Sequence, residues 1–233
     1  MTALASPGYR RFHVANDVYA PQEDSQLLID TLEKSLVLAE RSAVDLCTGS
    51  GVIAIAAAQL GAAAVTAWDI CPRAVQCAAE NARAAGVAVD VRRGQLAHAL
   101  ASGPYDIVTS NPPYVPTPPK ADHERIPREA GPEWAWNAGQ DGRAVLDPLC
   151  ELAPHLLADG GTMLFVQSEL SGVEQSIMIL RSSGLVAEVV ARQWIPFGPV
   201  LAARAGWLES SGRLPSGRRD EQLVVIRAAK PTS

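Results

Sequence analysis

A glycine-rich turn between two apolar segments is the feature that most constrains the fold of this chain. Residues 43–47 read AVDLC, which is typical of a short buried strand, and the alanine-rich residues 52–60 have the composition of a helix. Thr48-Gly49-Ser50-Gly51 lies between them and can form a tight turn from strand to helix. Together these segments predict the beginning of a βαβ unit, whose two strands are parallel.

Strand-like and helix-like segments continue to alternate along the rest of the chain. The spacing of the leucines predicts a first helix from an N-cap at Asp24 or Ser25 to about Val37. Later helices are expected at residues 52–60, 72–85, 143–157 and 172–181, and strands at residues 43–47, 64–69, 87–91, 105–110, 162–167, 185–193 and 223–227. This order predicts an α/β, Rossmann-like, doubly wound fold with a mostly parallel seven-stranded sheet, in which ligands bind beyond the carboxyl ends of the strands.

Length and composition agree with a single domain over residues 1–233. Of the 233 residues 48% are apolar, which is enough for one substantial core. We expect residues 1–40 to form an N-terminal entry segment and helix, and residues 41–233 to form the Rossmann-like core.

Two segments lack a regular pattern. Residues 117–141 are rich in proline and glycine and contain Trp134 and Trp136, so we expect them to shape or cover a substrate site; the alternative is an ordinary surface loop. Residues 196–220 carry four arginines among glycines and serines and are expected to form a solvated or partly disordered loop; the alternative is a nucleic-acid patch.

Charge and cysteine content restrict the classes of function. The formal charge of −5 argues against a protein that holds nucleic acid through a broad basic face. The four cysteines form no CxxC pair and have no ligand-like histidine neighbours, so we expect small buried residues in a reducing compartment and no metal site. Residues 1–19 contain no apolar signal region, and no apolar stretch is long enough to cross a bilayer. We therefore expect a cytoplasmic protein without a membrane partner.

The glycine-rich turn and a later aspartate predict a nucleoside-containing cofactor. Residues 49–54 match the pattern G-x-G-x-x-G/A, and Asp69 ends the next predicted strand, where a carboxylate can accept both ribose hydroxyls. The pattern suits both a nicotinamide dinucleotide and S-adenosylmethionine, but Asp45 favours a positively charged cofactor because it would repel a pyrophosphate. The structural alternative is a simple tight turn, with Asp69 capping the helix that begins at Pro72.

The tetrapeptide Asn111-Pro112-Pro113-Tyr114, which we name the clamp, directly follows the apolar residues 105–110. The Asn111 side-chain oxygen and the Pro112 carbonyl can accept both N–H bonds of a planar amine or amide nitrogen, and the ring of Tyr114 can stack on that flat group. The prolines hold these acceptors in place at little entropic cost. The alternative is a proline-rich loop that leaves a buried strand. The aromatic residue at the end of a strand, downstream of the glycine-rich turn, favours a clamp for a planar nitrogen.

Several motifs together resemble a known family. Residues 45–51 (DLCTGSG), Asp69 and residues 111–115 (NPPYV) are similar to class I S-adenosylmethionine-dependent methyltransferases of the HemK/PrmC family. Members of that family methylate the glutamine amide in the Gly-Gly-Gln motif of peptide release factors. Residues 18–25 (VYAPQEDS) resemble the entry segment of the family's short branch, and residues 138–143 (AGQDGR) resemble the glycine-rich stretch that follows the clamp in this family.

The resemblance implies roles for the matching residues. The methionine end of S-adenosylmethionine would contact Asp45, Cys47, Gly49 and Gly51, its ribose would contact Asp69, and Ser25 would supply a hydroxyl to the cofactor. Asn111 would border both cofactor and substrate, and the clamp would be catalytic. Gln95 and Leu96 stand where the family usually has an aspartate that contacts the adenine amine, and a glutamine carbonyl can accept the same bond.

The resemblance also implies an enzyme that methylates a planar side-chain nitrogen, in the first place a glutamine amide of a peptide release factor or a similar protein. About forty residues precede the glycine-rich turn, so we expect the helical N-terminal domain of bacterial members to be absent. Some relatives of the short branch require a small activating partner, and such a partner is an open expectation for this chain.

Three other functions would use part of the same pattern. A methyltransferase for the exocyclic amine of adenine or guanine would use a similar tetrapeptide, but it has to flip a base and usually needs a recognition surface. A nicotinamide oxidoreductase would leave the clamp without a role, and a non-catalytic binding module would not need it. The glutamine mechanism requires no titrating base, in agreement with the expected positions of His98 and His123 in loops.

Overall fold

The computed structural model describes residue 14 and residues 17–119, 125–127 and 130–232. Its centre is one sheet of seven strands: β1 (Ser42–Leu46), β2 (Ala64–Asp69), β3 (Asp90–Arg93), β4 (Tyr105–Ser110), β5 (Leu157–Ser168), β6 (Val186–Pro196) and β7 (Asp220–Ala229). Their order in the sheet is β3-β2-β1-β4-β5-β7-β6. Within this sheet β7 alone runs antiparallel to the other six strands. The predicted mostly parallel, seven-stranded sheet is therefore confirmed.

The described residues form six α-helices around the sheet: α1 (Glu23–Ser35), α2 (Val52–Gln59), α3 (Pro72–Ala85), α4 (Leu146–Leu156), α5 (Val173–Ser182) and α6 (Pro199–Ser210). Ile107 and Val108 are consecutive on β4 and both are fully buried. Because successive side chains of a strand point to opposite faces, both faces of the sheet are covered, as the doubly wound fold requires. Within the described ranges, every helix is too short or too polar to span a bilayer.

Parallel pairing brings the predicted functional segments to one edge of the sheet. Strand β1 pairs in parallel with β2 on one side and with β4 on the other, so that Leu46 lies opposite both Trp68 and Ser110. The glycine-rich turn after β1, Asp69 at the end of β2 and the clamp after β4 therefore emerge side by side. This is the edge at which sheets of this kind bind ligands.

Several element boundaries differ from the sequence-based prediction, among them the start of α4 at Leu146 and of β5 at Leu157, and two others have a clear local cause. Helix α1 begins at Glu23 with Gln22 as its N-cap, so the predicted caps Asp24 and Ser25 lie inside the first turn, where both are buried. Strand β3 begins at Asp90 and not at Val87, because the Val87 N–H still donates to the carbonyl of Ala82 at the end of α3. The backbone of Val87 thus completes the helix terminus and is not available to a strand.

The prediction of a solvated or partly disordered loop at residues 196–220 is wrong for residues 199–210. Residues 199–210 form α6, which begins with a proline in its first turn. One face of this helix is buried through Val200, Leu201, Ala205 and Leu208, but the same face also contains Arg204. Because a charged residue interrupts the apolar stripe, the helical periodicity of this segment is difficult to recognise from the sequence alone.

Candidate active site

A cavity of about 460 Å³ opens at the carboxyl edge of the sheet, a size typical of sites for small molecules. Eight of the predicted site residues line it: Ser25, Cys47, Gly49, Asp69, Gln95, Leu96, Asn111 and Pro113. The other predicted site residues, Asp45, Gly51, Pro112 and Tyr114, do not contribute to its wall. The structure therefore brings most of the predicted residues together and places four of them behind the cavity.

The glycine-rich turn is held by three left-handed backbone positions, with φ of 57° at Cys47, 54° at Gly49 and 83° at Gly51. At Gly49 an added Cβ would meet nothing within 4 Å, so the backbone conformation alone favours glycine. At Gly51 an added Cβ would lie 2.9 Å from the Cβ of Ala78. Gly51 thus allows α2 and α3 to approach closely, and its contact with the cofactor remains a prediction.

Asp69 contacts backbone on both sides of the cavity. Its Oδ2 accepts a hydrogen bond from the Gly49 N–H, and its Oδ1 accepts one from the Cys71 N–H, each at 2.9 Å. Burial raises the pKa of this carboxyl, and the two N–H donors oppose that rise. The carboxylate therefore braces the turn and the residue before α3, and it also lines the cavity. Asp69 is not the N-cap of α3, which is Cys71. Its contact with a ribose remains a prediction.

Replacing Asp69 with alanine should weaken the binding of S-adenosylmethionine by about 1.5–3 kcal/mol, because bonds to a partly buried charged acceptor are lost. Isothermal titration calorimetry measures this change. Asp106→Ala is the matched control, since Asp106 also accepts a backbone N–H, that of Ser42, but does not line the cavity. Wild-type affinity in Asp69→Ala would mean that Asp69 serves the backbone alone.

Asp45 is buried beneath the turn and does not line the cavity, and its contact with a cofactor remains a prediction. Its Oδ2 accepts the Thr48 hydroxyl at 2.6 Å and its Oδ1 accepts the Thr109 hydroxyl at 2.7 Å. Burial raises the pKa of Asp45 to about 7, although both hydroxyl donors favour the charged form. Asp45 therefore ties the turn to β4. Any electrostatic attraction between its carboxylate and a cationic ligand in the cavity would act through the backbone of the turn.

The contribution of Asp45 to the stability of the protein should decrease as the pH rises through the window from about 4 to about 7. In that window the folded chain retains a proton on Asp45 that an unfolded aspartate, with a pKa of about 3.9, has released. Urea unfolding of the wild type and of Asp45→Asn at several pH values measures the difference. We expect the wild type to lose on the order of a few kcal/mol more than the variant between pH 5 and pH 8. Equal pH dependence in the two proteins would contradict the raised pKa.

The clamp begins at the cavity and continues into the core. Asn111 lines the cavity, and its Nδ2 donates to the Ser25 Oγ at 3.2 Å. Pro112 is buried, whereas Pro113 also lines the cavity. Tyr114 is buried, and its hydroxyl donates to Asp24 Oδ2 at 3.2 Å, a contact that the sequence did not predict. Tyr114 does not line the cavity, so the stacking of its ring on the planar group that receives the methyl remains a prediction.

The residues that follow the clamp are anchored to later parts of the chain. The Val115 N–H donates to the Trp136 carbonyl, and the Ala138 N–H donates back to the Val115 carbonyl. Arg204 of α6 is 1% exposed, and its guanidinium donates to the carbonyl of Pro116 at 2.8 Å and to Asn137 Oδ1 at 2.7 Å. One buried arginine thus holds both segments that support the clamp.

The glycine-rich stretch at residues 138–143 also supports the clamp. The Thr117 N–H donates to the Gly139 carbonyl. Arg143, which is buried, donates to the carbonyls of Ser171 and Gly172 after β5. The stretch is therefore fixed between the clamp and the end of the neighbouring strand.

Gln95 and Leu96 lie at the cavity as predicted, where a short 3₁₀ helix begins. The Gln95 side chain caps that helix, and the Gln95 N–H donates to Nδ1 of His98 at 3.0 Å. His98 thus belongs to a short helix and not to a loop, and it has a structural partner. His123 lies outside the described residues.

Several cavity residues were not identified from the sequence. Ile70 and Trp68 flank Asp69, and Tyr19 precedes α1. The sequence signal that could have identified them is their position close to predicted site residues. In the segment predicted to shape a substrate site, Pro132 and Trp134 line the cavity, whereas Trp136 is buried with the Arg204 guanidinium 4.8 Å from its ring centre. Among the described residues, no group of histidine, cysteine, aspartate or glutamate could hold a metal ion.

Comparison with known proteins agrees with this geometry. A family model described as the methyltransferase small domain matches residues 11–125. A putative protein N5-glutamine methyltransferase of Methanocaldococcus jannaschii is 34% identical over 81% of this chain and 91% of its own length. The chain belongs to the HemK/PrmC family of methyltransferases. Methyltransferase HEMK2 of Mus musculus is 37% identical over 72% of this chain and 80% of its own length.

A solved structure shows the same fold. It is the E. cuniculi Mtq2-Trm112 complex, described as responsible for methylation of the eRF1 translation termination factor. The matched chain has a TM-score of 0.60 and 21% identity, over 92% of this HemK/PrmC chain and 99% of its own length. The class I methyltransferase fold predicted from the sequence is thus confirmed.

Proposed function

We propose that this chain transfers a methyl group from S-adenosylmethionine to the side-chain amide nitrogen of a glutamine in a protein. The observation that carries the proposal is the position of Asn111. Its Nδ2 donates to Ser25 at the cavity wall, so Oδ1 is the atom of this side chain that remains to accept an N–H bond. The glutamine methyltransferase named among the relatives supports the same substrate class.

The residues around the cavity fit S-adenosylmethionine. Ile70 is 59% exposed next to Asp69, and it offers an apolar surface that a purine base could cover. Gln95 and Leu96 would hold the edge of that base, Asp69 the ribose, and the turn at Cys47 and Gly49 the methionine end. Burial raises the pKa of the Cys47 thiol far above its usual range, so this side chain stays neutral beside the ligand. S-adenosylmethionine, when bound, supplies an activated methyl group on a cationic sulfur.

The task of the protein residues is to orient a poor nucleophile. The lone pair of an amide nitrogen is delocalised into its carbonyl group. Asn111 Oδ1, at the cavity wall, would accept one N–H bond and favour a pyramidal nitrogen as that nitrogen attacks the methyl carbon and the carbon–sulfur bond breaks. The Pro112 carbonyl is predicted to accept the second N–H bond, but Pro112 does not line the cavity, so this contact stays a prediction. The proton leaves after the nitrogen has become cationic, so no side chain has to act as a base. His98 is consistent with this scheme, because its Nδ1 already accepts the Gln95 N–H.

A peptide release factor is the protein substrate that we propose. The similar E. cuniculi complex is described as acting on a translation termination factor. The sequence relatives whose names give a substrate act on proteins, which favours a protein over a nucleic-acid amine. The E. cuniculi structure is also a complex of two proteins, so a small activating partner forms a separate arm of the test.

The test is a methyl-transfer assay with labelled S-adenosylmethionine. Release factors, ribosomal proteins, DNA and RNA are offered in parallel, with and without a candidate activating protein. We expect label on a release factor and none when its Gly-Gly-Gln glutamine is replaced by alanine. Calorimetry should show binding of S-adenosylmethionine and weak or no binding of NAD. Label on nucleic acid alone, or tight binding of NAD without binding of the methyl donor, would overturn the proposal.

A further inference from the structure

We propose that Asp24 is a positioning residue for the clamp, because it fixes through Ser25 which way the Asn111 amide points. This inference rests on the proposed function, since it concerns the orientation of the same acceptor. Asp24 lies in the first turn of α1 and is 4% exposed. It does not line the cavity, so it would act on the reaction only through its neighbours.

The direction of the hydrogen bonds between Asp24 and Asn111 follows from the donors that are present. The Ser25 Oγ lies 3.3 Å from Asp24 Oδ1 and 3.2 Å from Asn111 Nδ2. A carboxylate can only accept, and a serine hydroxyl has one proton to donate. Ser25 therefore donates to Asp24, and its oxygen must accept from the Asn111 NH₂ group. Only one of the two amide orientations of Asn111 satisfies both bonds.

The amide orientation decides whether the clamp attracts or repels its target. With the NH₂ group turned to Ser25, Asn111 presents its oxygen to a nitrogen that carries N–H bonds. Without Asp24, the Ser25 hydroxyl is free to donate to Asn111 Oδ1. The flipped amide would then present its own N–H bonds to those of the substrate, so that two donors face each other.

Asp24 is itself held firmly in the core. Its Oδ1 also accepts the Ser25 N–H at 2.6 Å, and its Oδ2 accepts the hydroxyls of Tyr19 at 3.0 Å and of Tyr114 at 3.2 Å. Burial raises the pKa of both tyrosines well above their usual range, so both remain donors. The buried Glu221 adds a second carboxyl near this group, and burial raises its pKa to about 7. One carboxylate thus links the entry segment, α1 and the clamp.

The test compares Asp24→Ala, Asn111→Ala and the double variant in single-turnover methyl transfer at saturating cofactor. We expect Asp24→Ala to lose a factor on the order of 10² in rate, because the acceptor is misoriented. The double variant should be within about twofold of Asn111→Ala alone, because the carboxylate acts through that residue. Asp24→Asn should lose less rate than Asp24→Ala, because the asparagine side-chain oxygen can still accept the Ser25 hydroxyl. The Asp24→Asn variant also replaces Asp24→Ala in the test if the alanine variant does not fold.

Glu23→Gln is the matched control. Glu23 is the neighbouring acid in the same first turn and is exposed, so its replacement removes the same charge from the helix terminus without touching Ser25. It should keep a rate within about twofold of wild type, because such exposed charges contribute little. Additive losses in the double variant, or an unchanged saturated rate in Asp24→Ala, would overturn the proposal.

A second measurement separates this proposal from the proposed function. The side-chain NH₂ signals of Asn111 can be assigned by NMR through their absence in Asn111→Ala. They should shift and exchange faster in Asp24→Ala and remain unchanged in Glu23→Gln. If no protein is methylated but these shifts occur, the proposed function fails and the positioning stands. If a protein is methylated but the Asn111 signals do not change in Asp24→Ala, the proposed role of Asp24 is overturned and the proposed function stands.

Discussion

Asn111→Ala should lower the rate of methyl transfer by about 10²–10³, because it removes one oriented acceptor from the nitrogen that attacks the methyl carbon. The measurement is single-turnover transfer at saturating S-adenosylmethionine, on the substrate that the parallel assay identifies. Some loss of cofactor affinity is expected as well, since Asn111 lines the same cavity. The effect on the rate should be much the larger of the two.

Asn81→Ala is a suitable control for this experiment. Asn81 is also a buried amide, and its Nδ2 donates to the Ser50 carbonyl in the glycine-rich turn at 2.9 Å, but it does not line the cavity. Its replacement should lower stability and leave the saturated rate within a few-fold of wild type. A nearly normal rate in Asn111→Ala would remove the main physical reason for assigning a planar nitrogen as the acceptor.

Gly142→Ala should destabilise the protein by about 2–5 kcal/mol and impair methyl transfer at the same time. Gly142 has a φ of 75°, which disfavours any residue with a Cβ. An added Cβ would also overlap the carbonyl oxygen of Tyr114 in the clamp and lie 3.1 Å from the Cβ of Ser171. Urea unfolding and the single-turnover rate measure the two effects.

The matched control is Gly212→Ala. Gly212 has nearly the same φ, 73°, but an added Cβ there would meet nothing within 4 Å. It should cost about 1–2 kcal/mol from backbone strain alone and leave the rate unchanged. If Gly142→Ala and Gly212→Ala lost equal stability, the contact with the clamp would contribute nothing.

The parts of the site that the sequence predicted correctly depend on short segments at strand ends. Gly49 follows β1, Asp69 ends β2 and Asn111 follows β4. Once a parallel sheet is expected, these positions must meet at one edge, whatever the rest of the chain does. Their local sequence patterns and the rule that ligands bind at the carboxyl ends of parallel strands were sufficient to predict that they lie together.

The parts that the sequence did not predict depend on contacts between distant residues. Asp24 and Ser25 are residue types that are common at N-caps. In the fold, however, Asp24 accepts a hydrogen bond from Tyr114, 90 residues away, and Ser25 accepts one from Asn111, 86 residues away. Arg204 looked like one of several solvated arginines because its acceptors at Pro116 and Asn137 lie 88 and 67 residues away. Local propensity cannot reveal a polar side chain whose partners are brought to it by the tertiary fold.

The contact between Arg204 and the Pro116 carbonyl has a consequence for the order in which a ribosome completes this protein. Strands β1 to β4 lie within residues 42–110, so the turn and Asp69 can assemble while synthesis is still in progress. The carbonyl of Pro116 and the side chain of Asn137 must wait for α6, which begins only at Pro199. On a nascent chain, the turn and Asp69 can therefore be in place before α6 is available to hold the segments that support the clamp.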